Sequence, residues 1–286
     1  MPDISFPARL DDRRLLALLQ EDVPHGDLTT DSLPLRARRA EMAFHARGPL
    51  RLSGIEEAAR LLTLCGATAT LAHASGESLG HGTELLRGQG PAAALLRAWK
   101  VAQTLVEFMS GIAGATATMV DALRQAGFGC PVACTRKSPP GTRALAALAV
   151  RDGGGILHRL GLSETLLVFP EHRALLAPED WPGCLAGLRE RQPEKRLVVE
   201  VGSAEAALEA AAAGAEVLQL ERFSPAELAA LRDRLRAAGL QPRLAPAGGV
   251  TLANAVDYAR SGADLLVTSS PYFARPAEVQ VSLRQI

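Results

Sequence analysis

Residues 243–270 read RLAPAGGVTLANAVDYARSGADLLVTSS, and the fold turns on this stretch. A short apolar run, 243–246, ends in Ala247-Gly248-Gly249-Val250. Helix-period apolar residues then run from Thr251 to Arg260, and a second apolar run, 264–267, ends in Thr268-Ser269-Ser270. Strand, helix and strand in this order form a parallel βαβ unit. A glycine turn between strand and helix lets backbone N–H groups approach a phosphate while the helix dipole favours its charge. In β/α barrels the loops after the last two strands are the usual phosphate-binding place. Gly248, Gly249, Ser269 and Ser270 are therefore the candidate phosphate-binding residues. A ligand-free glycine turn is the plain alternative, and the Thr-Ser-Ser partner weighs against it.

Working back along the chain, the same alternation continues. Strand candidates fall at 131–134, 155–157, 165–169, 196–201 and 216–220, making 243–246 the sixth and 264–267 a seventh. Ser203 to Ala213 and Ser224 to Ala238 read as helices opened by a capping serine, with Pro225 in a first turn. Thr135-Arg136-Lys137-Ser138-Pro139-Pro140-Gly141-Thr142-Arg143 follows the first of these strands, and three cations in nine residues at a barrel mouth are hard to bury without an anion. His158-Arg159 adds a titratable donor and a planar fork after the next strand. Glu200 and Glu221 are acids at the same end of consecutive strands, suited to Mg²⁺ or sugar hydroxyls, or else to balancing the cations. Cations early, acids in the middle and phosphate donors late suit a phosphorylated sugar lying across the mouth, with an acidic co-substrate at one end.

The N-terminal part reads differently. Asp11 to Glu21 and Gly54 to Cys65 have helical periodicity, Ala40 to Arg47, Thr68 to Ala72 and Thr83 to Gly88 are strand candidates, and 22–30 is turn-rich. A long helix from Pro91 to about Gln125 carries the small-residue run Ser110-Gly111-Ile112-Ala113-Gly114, which predicts a bend or a restart. Glu278 to Leu283 reads as a strand returning to the N-terminal domain. The expected division is an α/β domain over 1–110, completed by 275–286, and a barrel over 111–274. The cluster Arg36, Arg38, Arg39 reads as a solvated face, His172 as a helix-start polar residue, and His25, His45, His73 and His81 lack metal-ligand spacing.

Composition bounds the partners. In 286 residues, 31 Lys+Arg balance 31 Asp+Glu, which argues against wholesale nucleic-acid or anionic-membrane binding and makes any anion site local. No apolar run approaches the roughly 20 residues of a membrane span. The opening Met1-Pro2-Asp3-Ile4 has neither a basic nor an apolar leader region, so a cytoplasmic location is expected. Cys65, Cys130, Cys134 and Cys184 form no metal or disulfide pattern and read as buried thiols.

These residues together resemble the quinolinate phosphoribosyltransferase (nicotinate-nucleotide pyrophosphorylase) family over nearly the whole chain. The resemblance rests on Glu21-Asp22 with Gly26-Asp27-Leu28-Thr29-Thr30, Ser110-Gly111-Ile112-Ala113, Thr135-Arg136-Lys137 with Pro140-Gly141, His158-Arg159 with Gly161-Leu162, Glu200, and Gly248-Gly249. Trp99-Lys100-Val101-Ala102-Gln103, Leu162-Ser163-Glu164-Thr165 and Ser269-Ser270-Pro271-Tyr272 are similar to its ModD branch of pyrophosphorylases associated with molybdate-transport genes. The resemblance implies an N-terminal open α/β sandwich, a six-stranded β/α barrel (the type II phosphoribosyltransferase fold), and a homodimer whose sandwiches cover each other's barrel mouths. It implies 5-phosphoribosyl 1-pyrophosphate, Mg²⁺ and a small acidic co-substrate. Arg136, His158, Arg159 and, from the other protomer, Lys100 would hold the co-substrate's carboxylate. Lys137 would meet pyrophosphate, Glu200 and Glu221 the ribose and metal, and Gly248, Gly249, Ser269 and Ser270 the 5-phosphate. Phe169 stands where quinolinate enzymes carry a lysine, which removes a charged partner worth about 2–5 kcal/mol and predicts an acceptor with one fewer charge or an apolar edge. The function expected is transfer of a phosphoribosyl group to an acidic or heteroaromatic acceptor. The alternatives are a true quinolinate phosphoribosyltransferase, and a non-catalytic anion-binding protein serving molybdate handling.

Overall fold

The computed structural model of the protein describes residues 10–35, 37–177 and 180–286, so Arg36 of the basic cluster lies outside the described residues. In chain order the first elements are α1 (Asp12–Asp22), α2 (Leu28–Ser32), β1 (Arg39–Ala46), β2 (Leu50–Arg51), α3 (Ile55–Leu64), β3 (Thr68–Leu71), β4 (Ser78–Leu79), β5 (Glu84–Pro91) and α4 (Ala92–Gln125). There follow β6 (Val132–Cys134), α5 (Arg143–Asp152), β7 (Ile156–Leu157), β8 (Leu166–Val168), α6 (Pro170–Arg173), α7 (Trp181–Arg191), β9 (Leu197–Val201), α8 (Ala204–Ala212) and β10 (Val217–Glu221). The last are α9 (Pro225–Ala237), β11 (Arg243–Ala247), α10 (Ala255–Arg260), β12 (Leu266–Thr268) and β13 (Val279–Gln285).

Two units emerge. The N-terminal unit takes the chain to Ala117 together with Pro139–Gly154 and Pro271–Ile286, and the C-terminal unit takes Thr118–Ser138 and Gly155–Ser270. The cut falls at 117/118 where the sequence suggested 110/111, and 139–154 joins the first unit because α5 supplies Leu148 and Ala149 to its core.

The N-terminal unit is built on a four-stranded antiparallel sheet in the order β13-β1-β5-β3. Strand periodicity sends Ala40, Met42, Phe44 and Ala46 of β1 into a core with Ile55, Leu61, Leu62, Leu86 and Leu95. The opposite face carries Glu41, which accepts hydrogen bonds from Arg87, Gln89 and Arg284. The C-terminal strand does return here, with Phe44 opposite Val281.

The restart offered for 110–114 does not occur, and α4 is one helix of 34 residues. Its small residues serve close approach instead. Ser110 Oγ accepts from Ser53 N at 3.0 Å, and a Cβ on Gly111 would stand 2.4 Å from the Arg275 carbonyl oxygen. Glycine lowers helix propensity by about 1 kcal/mol, too little to interrupt a helix packed in a core.

The C-terminal unit is the parallel β/α barrel. Seven short strands carry it: β8-β9-β10-β11 form one ladder and β7-β6-β12 another. They correspond to the seven apolar runs read from the sequence, and β7 is only two residues long. At the junction of the ladders, Asp264 N donates to the Leu244 carbonyl at 2.9 Å while its carboxylate accepts from Leu244 N at 2.8 Å. Alternation along the strands separates two cores. Leu197, Val199, Val201, Leu218, Leu220, Leu244 and Leu266 pack outward against Trp181, Leu185, Ala207, Leu228 and Leu231 of the helices, whereas Leu167, Val198, Val217, Ala245, Ala247 and Val267 fill the interior. Two residues further along β9 and β10, the same inward direction is taken by Glu200 and Gln219.

Candidate active site

That inward layer is the floor of a cavity of about 730 Å³ at the C-terminal ends of the strands. Every strand delivers a residue to it: Thr135, Arg136 and Lys137 after β6, His158 and Arg159 after β7, Phe169 and Glu171 after β8, Glu200 from β9, Gln219 and Glu221 from β10, Gly248 and Gly249 after β11, and Ser269 and Ser270 after β12. Eleven of the twelve site residues singled out from the sequence therefore share one cavity. Lys100 is the exception. It lies on α4 in the N-terminal unit, 4.3 Å above the Trp99 ring and bonded to Gln103 at 3.3 Å, and it lines a separate cavity of about 450 Å³ there with Glu21, Asp22 and Phe108.

The cationic side has no close ion pair among the described residues. Among the described residues, none of Arg136, Lys137 and Arg159 has a carboxylate within ion-pair distance. Arg159 is only 7% exposed, and burial together with the neighbouring Arg136 charge lowers its pKa. Its guanidinium carbon lies 5.5 Å from the centroid of the Phe169 ring, whose other neighbour is the stacked His172 ring at 5.8 Å. His172 serves the local fold, because its Nδ1 accepts from Phe169 N at 2.9 Å and fixes the start of α6. His158 is anchored through its backbone N–H to the Cys134 carbonyl at 2.9 Å, and burial, then the Arg159 charge, push its pKa down to about 4. At neutral pH its ring is uncharged, and the positive charge belongs to the arginines and Lys137.

The acidic side is held by strand register. Gln219 faces Glu200 across the β9–β10 ladder, and its amide donates to the Glu200 carboxylate. Burial raises the Glu200 pKa, the Gln219 hydrogen bond opposes this, and the Glu221 and Glu171 charges add to the rise. Glu221 lies against the backbone of Gly248, where a Cβ would stand 2.4 Å from Oε1. With φ at +74°, Gly248 is favoured by its conformation, and a Cβ there would also displace the Glu221 carboxylate. Beside it, Arg222 has φ of 58°, the one non-glycine positive φ among the described residues, and an Nε 3.6 Å from Glu221.

The side expected from the sequence to bind phosphate consists of two loops tied together. The buried Thr268 hydroxyl donates to the Val250 carbonyl at 2.7 Å and accepts from Ser270 N at 3.0 Å, while Thr135 N donates to the Thr268 carbonyl at 2.9 Å. The N–H groups of Gly248, Gly249 and Ser269 make no hydrogen bond among the described residues. One expectation is corrected: the helix does not begin at Thr251. Asn254 closes a turn by accepting from Thr251 N at 2.8 Å and donating to the Gly249 carbonyl at 3.0 Å, and α10 starts only at Ala255. The N–H groups exposed at this end are therefore those of a loop, not of a helix N-terminus.

Gln219 and Glu171 were not singled out from the sequence. Gln219 was detectable as a polar residue in Val217-Leu218-Gln219-Leu220-Glu221 on the same strand face as Glu221. Glu171 follows Pro170 in a short turn of helix and carried no such periodic signal.

Comparison with known proteins adds a family to this geometry. Residues 27–110 match the N-terminal domain and 112–281 the C-terminal domain of quinolinate phosphoribosyl transferase. A Rhodobacter capsulatus protein named "Putative pyrophosphorylase ModD" is 48% identical over 257 residues, covering 88% of this chain and 97% of the relative. The nicotinate-nucleotide pyrophosphorylase [carboxylating] of Mycobacterium leprae is 33% identical, covering 94% and 95%. The crystal structure of NadC from Streptococcus pyogenes superposes with a TM-score of 0.86 at 28% identity, covering 96% of each chain.

Proposed function

The chain belongs to the quinolinate phosphoribosyl transferase family, and on that premise we propose that it is a pentosyltransferase that moves the phosphoribosyl group of 5-phosphoribosyl 1-pyrophosphate to an acidic or heteroaromatic acceptor. One observation supports the reading: among the described residues, a single cavity has three cations without a carboxylate in ion-pair distance on one side and backbone N–H groups that make no hydrogen bond on the other, with carboxylates also in its lining. The donor's two phosphate-bearing ends and its central sugar hydroxyls need that order. Gly248, Gly249 and Ser269 take the 5-phosphate, Glu200 and Glu221 the ribose hydroxyls, Lys137 the pyrophosphate, and Arg136, Arg159 and neutral His158 the acceptor's carboxylate. Such a site accelerates reaction by holding the attacking nitrogen in line with C1 and by placing fixed positive charge where pyrophosphate gains negative charge.

Among the described residues no three His, Cys, Asp or Glu side chains come together as a metal site. Two carboxylates, Glu200 and Glu221, suit a hard cation whose remaining ligands come from pyrophosphate and water, so Mg²⁺ enters this reading with the donor and supplies neutralisation of the leaving group. A homodimer also belongs to it, with Lys100 of one protomer completing the mouth of the other. The exposed Phe108 (57%) and Phe273 (74%) of the N-terminal unit support such a contact. No helix among the described residues is long and apolar enough to cross a membrane. Cytoplasmic location is part of the proposal.

The test is direct. Millimolar 5-phosphoribosyl 1-pyrophosphate with Mg²⁺ should raise the melting temperature of the wild type, and pyrophosphate should be released when an acceptor is added. Lys137→Ala abolishes the shift without lowering the melting temperature of the free protein. Absence of any shift in the wild type would overturn the reading.

A further inference from the structure

We propose that the acceptor is a planar heteroaromatic monocarboxylate, bound with its ring edge against Phe169, and that transfer proceeds without loss of CO₂. The inference rests on the phosphoribosyl reading of the same cavity and deepens it by counting charge near the acceptor's end. Arg136 and Arg159 converge there, each a planar fork that matches one carboxylate in two-point contact. Arg159 is committed on one face to the Phe169 ring, 5.5 Å from its guanidinium carbon, which leaves the edge of its fork for a ligand. His158 adds a neutral ring, and Lys137 is coupled electrostatically to Glu200 on the acidic side.

The next positions around the wall are hostile to further negative charge. Phe169 offers only carbon, and Leu167 beneath it is buried in the apolar interior. Glu171, two residues beyond Phe169, puts a carboxylate into the same cavity. A second carboxylate turned towards this wall would therefore meet a phenyl face or a like charge, and would lose its water without gaining a donor from the wall. A ring bearing hydrogen at that position would gain contact with Phe169 instead.

The bond changes balance without decarboxylation. The lone pair of an unprotonated ring nitrogen forms the bond to C1 of the ribose. The bond from C1 to the pyrophosphate oxygen breaks, its electron pair leaves with pyrophosphate, and the product ring carries the positive charge. No proton, oxidant or reductant is required.

The experiment measures binding of two probes to the full-length protein by calorimetry, pyridine-3-carboxylate and pyridine-2,3-dicarboxylate, each with and without 5-phosphoribosyl 1-pyrophosphate and Mg²⁺. The monocarboxylate should bind at least about tenfold more tightly, which corresponds to about 1.4 kcal/mol. Phe169→Lys should reverse the order, while Phe169→Leu, which keeps an apolar wall, should preserve it and guards against misreading a folding defect. Equal or tighter binding of the dicarboxylate by the wild type overturns the inference, as does failure of both probes to bind at millimolar concentration. Absence of donor binding while the monocarboxylate still binds preferentially would overturn the phosphoribosyl reading alone. Release of CO₂ from the dicarboxylate at a rate matching pyrophosphate release would overturn the inference and leave the phosphoribosyl reading intact.

Discussion

In the N-terminal unit Glu41 is 6% exposed and accepts hydrogen bonds from Arg87, Gln89 and Arg284, whereas in the C-terminal unit Arg159 is just as hidden and has no carboxylate partner among the described residues. Both are charges on the inside of a folded unit, but only the first is neutralised by the chain itself. A charge with built-in partners is there for the fold. A buried charge whose nearest charged neighbour has the same sign costs the fold stability and is neutralised only when something else arrives.

The contrast predicts opposite outcomes for two arginines. Arg159→Ala should lower affinity for an aromatic carboxylate about 30- to several-thousand-fold, the range for leaving a bound charge without its partner, and should leave the melting temperature unchanged or raised. Arg87→Ala should do the reverse, lowering the melting temperature while leaving carboxylate affinity as it was. Calorimetry and thermal unfolding of both variants test this, and a stability loss at Arg159 comparable with that at Arg87 would break the comparison.

The acidic neighbours sharpen it further. Burial and two nearby carboxylates raise the Glu200 pKa, and the hydrogen bond donated by Gln219 opposes that rise. Gln219→Leu removes the donor at nearly constant volume, so the Glu200 pKa rises further. Binding of the Mg²⁺-loaded donor should then be lost at a higher pH on the acid side than in the wild type. An unchanged pH profile with weaker binding throughout would mean that Gln219 acts only by packing.

His158 gives a smaller effect with a worked sign. Its folded value of about 4 lies below the ordinary 6.5, so the unfolded chain binds the proton first as pH falls. Stability is therefore lost as pH drops from 6.5 towards 4 and levels off below, once the folded ring also protonates. A carboxylate bound beside the ring favours the protonated form, so its titration midpoint, followed by nuclear magnetic resonance, should move up on adding an aromatic carboxylate. A midpoint near 6.5 in the free protein would show that the ring is not held dry.

Much of this was legible in the sequence because barrel geometry repeats a rule. Residues at strand ends face the mouth, so Arg136, His158, Glu200, Glu221 and Gly248 could be placed from apolar runs alone. Three things were not legible. The 110–114 run looked like a helix break because small residues have low helix propensity, but closeness to the chain at Arg275 is a tertiary demand that propensity does not register. Thr251 looked like a helix start, yet the Asn254 side chain competes for its N–H and postpones the helix to Ala255. The partner of Gln219 was the third: the residue stands out as polar in an apolar strand, but only the register sets it opposite Glu200.

The smallest predicted effect concerns the rim. Arg222 holds φ of 58°, in the left-handed region where a residue with a Cβ loses about 1–2 kcal/mol relative to glycine. Its side chain is 83% exposed and its ion pair with Glu221 is long at 3.6 Å, so that contact offsets little of the strain. The conformation is set by the backbone, through Arg222 N donating to the Ala247 carbonyl at 2.9 Å at the end of the β10–β11 ladder, and it keeps Glu221 against Gly248. Arg222→Gly should therefore raise stability by about 1 kcal/mol in denaturant unfolding while preserving the turn. If the guanidinium also reaches the bound donor, the same variant loses donor affinity, and the strained arginine joins Arg159 as a charge kept for a ligand. If affinity is unchanged, Arg222 belongs with the exposed ion pairs of the surface, and the comparison narrows to the cations after β6 and β7.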